Sequence, residues 1–505
     1  MAVKKEPRFS DSGSQILLSE VGKSYDLRTV LAGINLQIDP GELIVICGRN
    51  AVGKSTLLRM LAGLDETSSG EIEIKITGQN SSPMNPVNTI GFMGHDSCLY
   101  DQLSAGENLR FFADMYGTGS STMIVKDLMQ EYDLTAAGNL PSGLLSRGTK
   151  QRLSFARALV SDPDILLLDE PFAGLDPAAA RTLVHSINRF RDKGRTVILT
   201  THDFSNIGLE NLRLLLLEQR TILYDGLCRD LQEAREIYER ASNHSRKSGI
   251  EKGNLEIRNK SKLFKTWENS SLQESFNFFD LAKKYLFQVA AVMKKDWRTE
   301  IKSRESTNVM LLFALSSLII YSFAFNLMGA SVRELIPGIL WTTLSFTGIL
   351  GLYRTVDREF RNSCMDALRL AAIEDSSIFL GKTMGILGPL LLIYFIVSFL
   401  LNLFFRVNIF DPLLFLINLV GIFGFASAGT VLTTLAEKTS AKEILLPVLL
   451  LPVLIPLLLS VVQINLNHLD GLDLKSSLNW IRLLVVYNLI VTAASMLTYH
   501  FVLKG

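Results

Sequence analysis

No secretory leader is expected at the start of this sequence. "MAVKKEPRFSDSGSQILLSE" places two lysines near its start but no apolar core after them. The N-terminal half is therefore expected to stay in the cytoplasm. Cysteine is scarce: Cys47, Cys98, Cys228 and Cys364 are scattered without metal-ligand spacing, and reduced structural thiols are expected. Charge of one sign is not in excess. The net charge is +1, so no bulk field draws in nucleic acid, and no nucleic-acid partner is expected. Histidine is thin in the C-terminal part, where only His468 and His500 occur after residue 305. Neither has a second candidate ligand beside it, so both read as polar interfacial residues. Charges inside the apolar runs are few, and such charges are the usual pointers to a functional site within a membrane.

What is present divides into two unlike halves. Residues 1–245 mix charged and apolar residues as a soluble domain does, whereas 305–505 hold long apolar runs between short polar stretches. A helix needs ~20 apolar residues to cross a bilayer, and about six segments meet that criterion. They are 308–327, 335–353, 379–403, 412–435, 444–464 and 481–502. Core helices of a soluble protein are the alternative, but "ILLPVLLLPVLIPLLLSVVQI" (444–464) is too long and too apolar for one. Lysine and arginine orient the spans. They gather before the first span (Lys294, Lys295, Arg298, Lys302, Arg304), after the second (Arg354, Arg358, Arg361, Arg369) and after the fourth (Lys438, Lys442). That basic side should face the cytoplasm, and both termini with it.

Between the second and third spans, 354–375 is expected to form a cytoplasmic amphipathic helix. Phe360, Cys364, Leu368 and Ala371 share one face, with Arg358, Glu359, Arg361 and Asp366 elsewhere. It reads as a coupling element docked on the soluble half, against the plainer membrane-surface helix. The amphipathic stretch 274–304 reads as an interfacial helix leading into the first span, and the polar stretch 240–272 as a linker. The expected division is 1–239, linker 240–273, then 274–505.

The first half carries the chemistry. "IVICGRNAVGKSTLLRMLAG" is an apolar strand, a glycine-rich loop and a helix. Gly48, Arg49, Asn50, Ala51, Val52, Gly53, Lys54, Ser55 and Thr56 form the loop. Its glycines let backbone N–H groups close around phosphate, and the helix N-terminus favours negative charge. Lys54 should reach the β- and γ-phosphates of ATP, and Ser55 should ligate Mg²⁺. "DILLLDEPFAGLDP" (164–177) reads as a buried parallel strand closed by two acids. Asp169 can hold Mg²⁺ largely through water, and Glu170 can orient or deprotonate the attacking water.

On these residues the N-terminal half resembles the nucleotide-binding domain of the ATP-binding cassette (ABC) superfamily. "LLSRGTKQRLSFARAL" (144–159) is similar to the cassette signature, keeping Ser146 and Gly148 but departing at Arg147 and Thr149. The resemblance implies that Ser146 and Gly148 cap the γ-phosphate bound by a second protomer. It makes Asp176, in "AGLD", part of a loop facing the opposite site, and His202, in "ILTTHD", the switch histidine. Tyr25 is the residue it would stack on adenine. One cassette and about six spans make a half-transporter by the span-length rule, whose economical assembly is a symmetric homodimer.

The expected fold is thus an α/β P-loop ABC nucleotide-binding domain followed by an all-α membrane domain of the ABC-2 exporter type. Two stretches narrow the resemblance. "GFMGHDSCLYDQLSAGENLRFFADMYG" is similar to the ATPase subunit of the haem exporter of cytochrome c maturation, and 335–382 to its permease subunit. The chain looks like a fusion of those two subunits. That implies ATP-driven haem export, or release of a haem-loaded periplasmic chaperone from a haem-handling membrane partner, in the bacterial inner membrane. No C-x-x-C-H motif and no tryptophan-rich haem-presenting segment is present, so haem ligation by this chain is not expected. The alternatives are an ABC-2 exporter of a lipid, drug or glycolipid, and a mechanochemical ATPase that remodels a membrane complex without moving cargo. His95 stands where the superfamily carries glutamine. Imidazole is a poor Mg²⁺ ligand, so His95 should act through water or the γ-phosphate, unless Asp96 supplies the oxygen.

Overall fold

The computed structural model describes residues 13–26, 28–77, 89–117, 121–202, 208–247, 278–326, 332–371, 373–407, 411–437, 439 and 441–504. In chain order the regular elements begin with β1 (Gly13–Tyr25), β2 (Arg28–Ile38), β3 (Leu43–Gly48), α1 (Lys54–Leu61), β4 (Ser69–Thr77) and β5 (Ile90–Met93). Then come α2 (Ala105–Met115), α3 (Ser121–Glu131), α4 (Arg147–Ala158), β6 (Ile165–Asp169), α5 (Pro177–Asp192) and β7 (Thr196–Thr200). β8 (Glu210–Glu218), β9 (Thr221–Asp230), α6 (Leu231–Lys247), α7 (Phe278–Ser303) and α8 (Glu305–Asn326) follow. The last six are α9 (Ile336–Arg361), α10 (Cys364–Leu370), α11 (Asp375–Phe405), α12 (Pro412–Glu437), α13 (Lys442–Leu469) and α14 (Leu474–Lys504). They fall into two compact units, Met1–Asp96 with Ser146–Leu281, and Ser97–Leu145 with Ala282–Gly505. Residues 248–273 of the expected linker lie outside the described residues.

In the first unit a six-stranded sheet runs in the order β5-β6-β7-β3-β8-β9. β5, β6, β7, β3 and β8 are parallel neighbours, and β9 closes the edge antiparallel. Every residue of β3, β6 and β7 is buried. Strands covered on both faces need such unbroken apolar runs. A separate antiparallel sheet, β2-β1-β4, stands beside it. On β2 the buried and exposed residues alternate over its second half, as on a strand with one packed face. The carboxyl ends of β3, β6 and β7 converge, which is where ligands bind in open α/β sheets. All four cysteines are buried and outside any disulfide, and burial pushes the Cys47 thiol up to about 12 and the Cys228 thiol to about 11.

In the second unit, six helices among the described residues are long and apolar enough to cross a membrane: α8, α9, α11, α12, α13 and α14, with the second counted from Arg333. Apolar side chains such as Leu312, Ile320, Phe323, Leu489, Leu497 and Phe501 stay exposed along α8 and α14. Hydrocarbon, not water, suits that surface. Close helix packing depends on small residues. A Cβ on Gly348 would come within 2.4 Å of the Phe425 ring, and one on Gly421 within 2.6 Å of Trp341. Pro389 in α11 and Pro447, Pro452 and Pro456 in α13 sit inside helices, a position tolerated where neighbouring helices satisfy the freed carbonyls.

One expectation changes here. The stretch 354–375 is not a separate helix. The second span, α9, continues unbroken to Arg361, turns at Ser363 (φ 53°), and resumes as the short α10. Nothing between Gly351 and Asn362 breaks a helix, and the arginines and glutamate there are good helix formers. Glu359, expected on the polar face, is instead buried.

Candidate functional site

The site begins at the carboxyl end of β3. Gly48 adopts φ +155°, and a Cβ there would lie 2.4 Å from the Leu217 carbonyl oxygen. Gly53 caps α1 at φ +109°, with no side-chain cap on the helix. The first N–H groups of α1 are thus left for an anion. Lys54 Nζ donates to the carbonyls of Gly48 (2.9 Å) and Arg49 (3.1 Å), bridging the loop. Burial pulls the Lys54 ammonium below its usual range, while Glu170 and Asp169 oppose that shift.

β6 and β7 supply the acids. The Thr200 hydroxyl donates to Asp169 Oδ1 (2.6 Å) and accepts from the Glu170 N–H (2.9 Å). Glu170 takes φ 49°, a left-handed conformation outside the glycine norm. The turn aims its carboxylate at His202, whose Nδ1 lies 3.0 Å from Glu170 Oε1.

These groups surround one open cavity of about 1060 Å³. Asn50, Ala51, Val52, Gly53, Lys54, Ser55 and Thr56 form its floor; Tyr25, His95, Asp169, Glu170 and His202 complete the wall. Asp96 is absent from that lining. The Tyr25 hydroxyl donates to Asp65 Oδ2 (2.9 Å), which fixes the exposed ring at the cavity mouth. Burial acts to raise the Asp65 carboxyl, but Arg59 and the Tyr25 hydroxyl hold it below its usual range.

Three of the expected residues lie elsewhere. Ser146, Gly148 and Asp176 line a second cavity of about 510 Å³, with Arg147, Arg152 and Gly174. Ser146 caps α4 by accepting from the Thr149 N–H (3.3 Å), and Asp176 caps α5 by accepting from Ala178 and Ala179 (3.0 and 2.9 Å). The Arg147 guanidinium lies against Gly174 (φ +68°), where a Cβ would sit 2.3 Å from Cζ.

Four contributors are not among the residues the sequence motifs point to. Thr200 lies inside "ILTTHD", at the end of the strand beside the one that carries the two acids. Asp65 carried no motif. Gln219 and Arg220, on the β8–β9 turn, also wall the cavity, brought there by sheet order alone.

Residues 31–173 match the ABC transporter family, and residues 287–499 match the CcmB protein family. Over 225 residues the chain is 32% identical to the Nod factor export ATP-binding protein I of Burkholderia pseudomallei, covering 44% of this chain and 74% of that one. It is 30% identical over 204 residues to the ABC transporter ATP-binding protein NatA of Bacillus subtilis, covering 40% and 83%. A dimeric post-hydrolysis structure of an ATP-binding cassette with ADP and Pi aligns at TM-score 0.38 and 25% identity, over 42% of this chain and 99% of that one. The chain belongs to the ABC transporter family: it is a multi-pass membrane exporter in which a nucleotide-binding, ATP-hydrolysing cassette is fused to a CcmB-type permease.

Proposed function

We propose that this chain couples ATP hydrolysis to haem export, or to release of a haem-loaded chaperone, during cytochrome c maturation. The observation that carries the reading is the CcmB match over 287–499 in the same chain as the cassette. The proposed partners are a haem-handling membrane protein and a periplasmic haem chaperone. The proposed location is a bacterial inner membrane, with the cassette and both termini cytoplasmic, on the strength of the lysine and arginine distribution. The functional division proposed is a cassette over 1–239, a linker over 240–273 and a permease over 274–505.

The cavity lining supports a set of proposed roles. Tyr25 stacks on adenine, and the loop from Gly48 to Thr56 wraps the phosphates with Lys54 on the β- and γ-oxygens. Ser55 and Asp169 line one cavity as a hydroxyl and a buried carboxylate, an oxygen donor set that suits Mg²⁺. The ion, when bound, neutralises phosphate charge. Glu170 takes the proton of the attacking water, and His202 holds the Glu170 carboxylate in place. His95 reaches the cavity and senses the γ-phosphate side through a hydrogen bond. Comparing wild type, His95→Gln and His95→Ala across pH tests this; three identical ATPase profiles would make His95 a bystander.

Ser146, Gly148 and Asp176 open onto a cavity separate from the phosphate loop. That separation supports a head-to-tail homodimer, in which each protomer completes its partner's site. Purifying the chain with its membrane partners tests the function. Haem-loaded periplasmic chaperone should co-purify and leave on ATP hydrolysis; a complex that never contains it, with or without ATP, would argue for another cargo.

A further inference from the structure

Near the end of α9 and the start of α11 the second unit buries a cluster of charges that the ATP chemistry does not use. Glu359, on α9, is 1% exposed, and Lys382, on α11, is 2% exposed. Lys295 and Asp296, on α7, and Tyr100 are buried with them. The Tyr100 hydroxyl donates to Glu359 Oε2 (2.7 Å). Glu359 Oε1 accepts from Lys295 and lies 2.8 Å from Lys382 Nζ. Lys295 Nζ also reaches Asp296 Oδ1 (2.6 Å) and stands 4.4 Å from the Tyr100 ring centre. Two ammonium groups thus face two carboxylates, and Tyr100 is the neutral donor. Burial and the Glu359 charge push its hydroxyl well above the usual range, so it stays protonated.

Tyr100 is fastened at both ends of its reach. Cys98 N–H donates to the Asn362 carbonyl (2.9 Å), and Asn362 Nδ2 donates to the Leu99 carbonyl (3.1 Å) and Asp101 Oδ2 (2.9 Å). The Tyr100 N–H donates to Asn108 Oδ1 (2.9 Å). Along the chain, Tyr100 stands five residues after His95, which lines the nucleotide cavity. A displacement of the chain at His95 therefore has a five-residue path to this carboxylate.

The cluster also holds hydrogen-bonding capacity in reserve. Lys382 Nζ is close to Glu359 yet makes no aligned hydrogen bond, and Asp296 Oδ2 and Arg358 Nε are buried without a hydrogen-bond partner. A cavity of about 20 Å³ lies between Tyr100, Asp296, Arg358 and Glu359. A second arrangement is at hand, in which Glu359 Oε2 leaves Tyr100 and takes Lys382. Buried networks with two discrete arrangements are the physical form that long-range coupling takes.

We infer that Tyr100 and Glu359 are positioning residues that carry the nucleotide state to the second and third spans, by exchanging the tyrosine hydroxyl for Lys382 on the Glu359 carboxylate. The inference rests on the ATP-driven reading of the cassette. Hydrogen exchange of the full chain in detergent tests it, using a Glu170→Gln background to retain bound ATP. In that parent, ATP should change exchange in 292–300 and 354–362 by at least about fivefold, the lower end of ordinary coupling between sites. Adding Tyr100→Phe should leave ATP affinity within about twofold and abolish that response. Lys382→Met should abolish it while keeping the ATP-free exchange of the parent, and Lys382→Arg should restore it. A merely structural cluster would instead raise exchange in Tyr100→Phe and Lys382→Met alike, without ATP. Retention of the ATP response in Tyr100→Phe, or its absence from a parent that binds ATP, would overturn the inference alone. A parent that does not bind ATP would overturn the nucleotide-site reading and this inference with it.

Discussion

The two units keep their polar residues in opposite places. In the first, Lys54, Asp169, Glu170 and His202 sit at strand ends around an open cavity, and their fixed contacts are short-range or from neighbouring strands. In the second, polar groups lie within long helices and are sealed. Asn418 Oδ1 accepts from Trp341 Nε1 (2.9 Å) and Asn465 Nδ2 (3.1 Å), joining three spans. Glu359 draws on Lys295 and Lys382, from two further helices. A group facing water needs only the right geometry, because water satisfies whatever the protein does not. A group facing hydrocarbon or a sealed core must find its partner inside the protein. Loss of a group that several partners share should therefore cost activity in the first unit and stability in the second.

That contrast can be broken in four places, here in order of expected effect. Glu170→Gln should lower ATP turnover by about 10²–10⁴-fold, the usual weight of a general base, with ATP binding kept. Hydrolysis at the parental rate would remove Glu170 from that role. Glu359→Ala should leave two lysines buried without their carboxylate. Breaking a buried pair costs about 3–5 kcal/mol, read as a lower midpoint of thermal unfolding in detergent, while the cassette still binds ATP. A midpoint unchanged from wild type would mean the cluster is not sealed. Lys54→Ala should weaken ATP affinity by about tenfold or more, since a charge-assisted bond to phosphate contributes about 1.5–3 kcal/mol. Isothermal titration reads this without ambiguity from turnover. Asn418→Leu should cost only about 0.6–1.7 kcal/mol, the range of hydrogen bonds between membrane helices; a larger loss of midpoint would make the Trp341–Asn418–Asn465 bridge a keystone of the bundle.

A fifth prediction sharpens the contrast by pH. Asp65 is held below its ordinary range by Arg59 and the Tyr25 hydroxyl. Its contribution to folding is thus present above the usual aspartate range and lost as pH falls through the lower folded value. The pair is half-exposed, so the effect should stay below about 1 kcal/mol. Asp65→Asn should flatten that part of the acid unfolding curve; an unchanged slope would show that Asp65 is as free folded as unfolded.

What could be read from the sequence follows the same division. The phosphate loop and the Asp169–Glu170 pair were legible because each is a local pattern closing a strand. The six apolar helices were legible because length and composition suffice. Glu359 was not. Helical spacing placed it on a polar face, and its partners lie 64 residues before it and 23 after, at positions no periodicity connects. The length of the second span's helix is not legible for a related reason: a charged sequence reads as leaving the membrane, but charge does not end a helix. The seat of Arg147 on Gly174 likewise depends on two loops meeting in space.

The central claim is that this cassette spends ATP on cytochrome c maturation, and one measurement tests it most directly. The chromosomal copy is replaced by Glu170→Gln in the organism that encodes it, expression of the variant is verified, and covalently bound haem in c-type cytochromes is measured. Cells carrying the variant should lose their c-type cytochromes as deletion cells do. Wild-type amounts of c-type cytochrome in cells whose only copy cannot hydrolyse ATP would contradict the account.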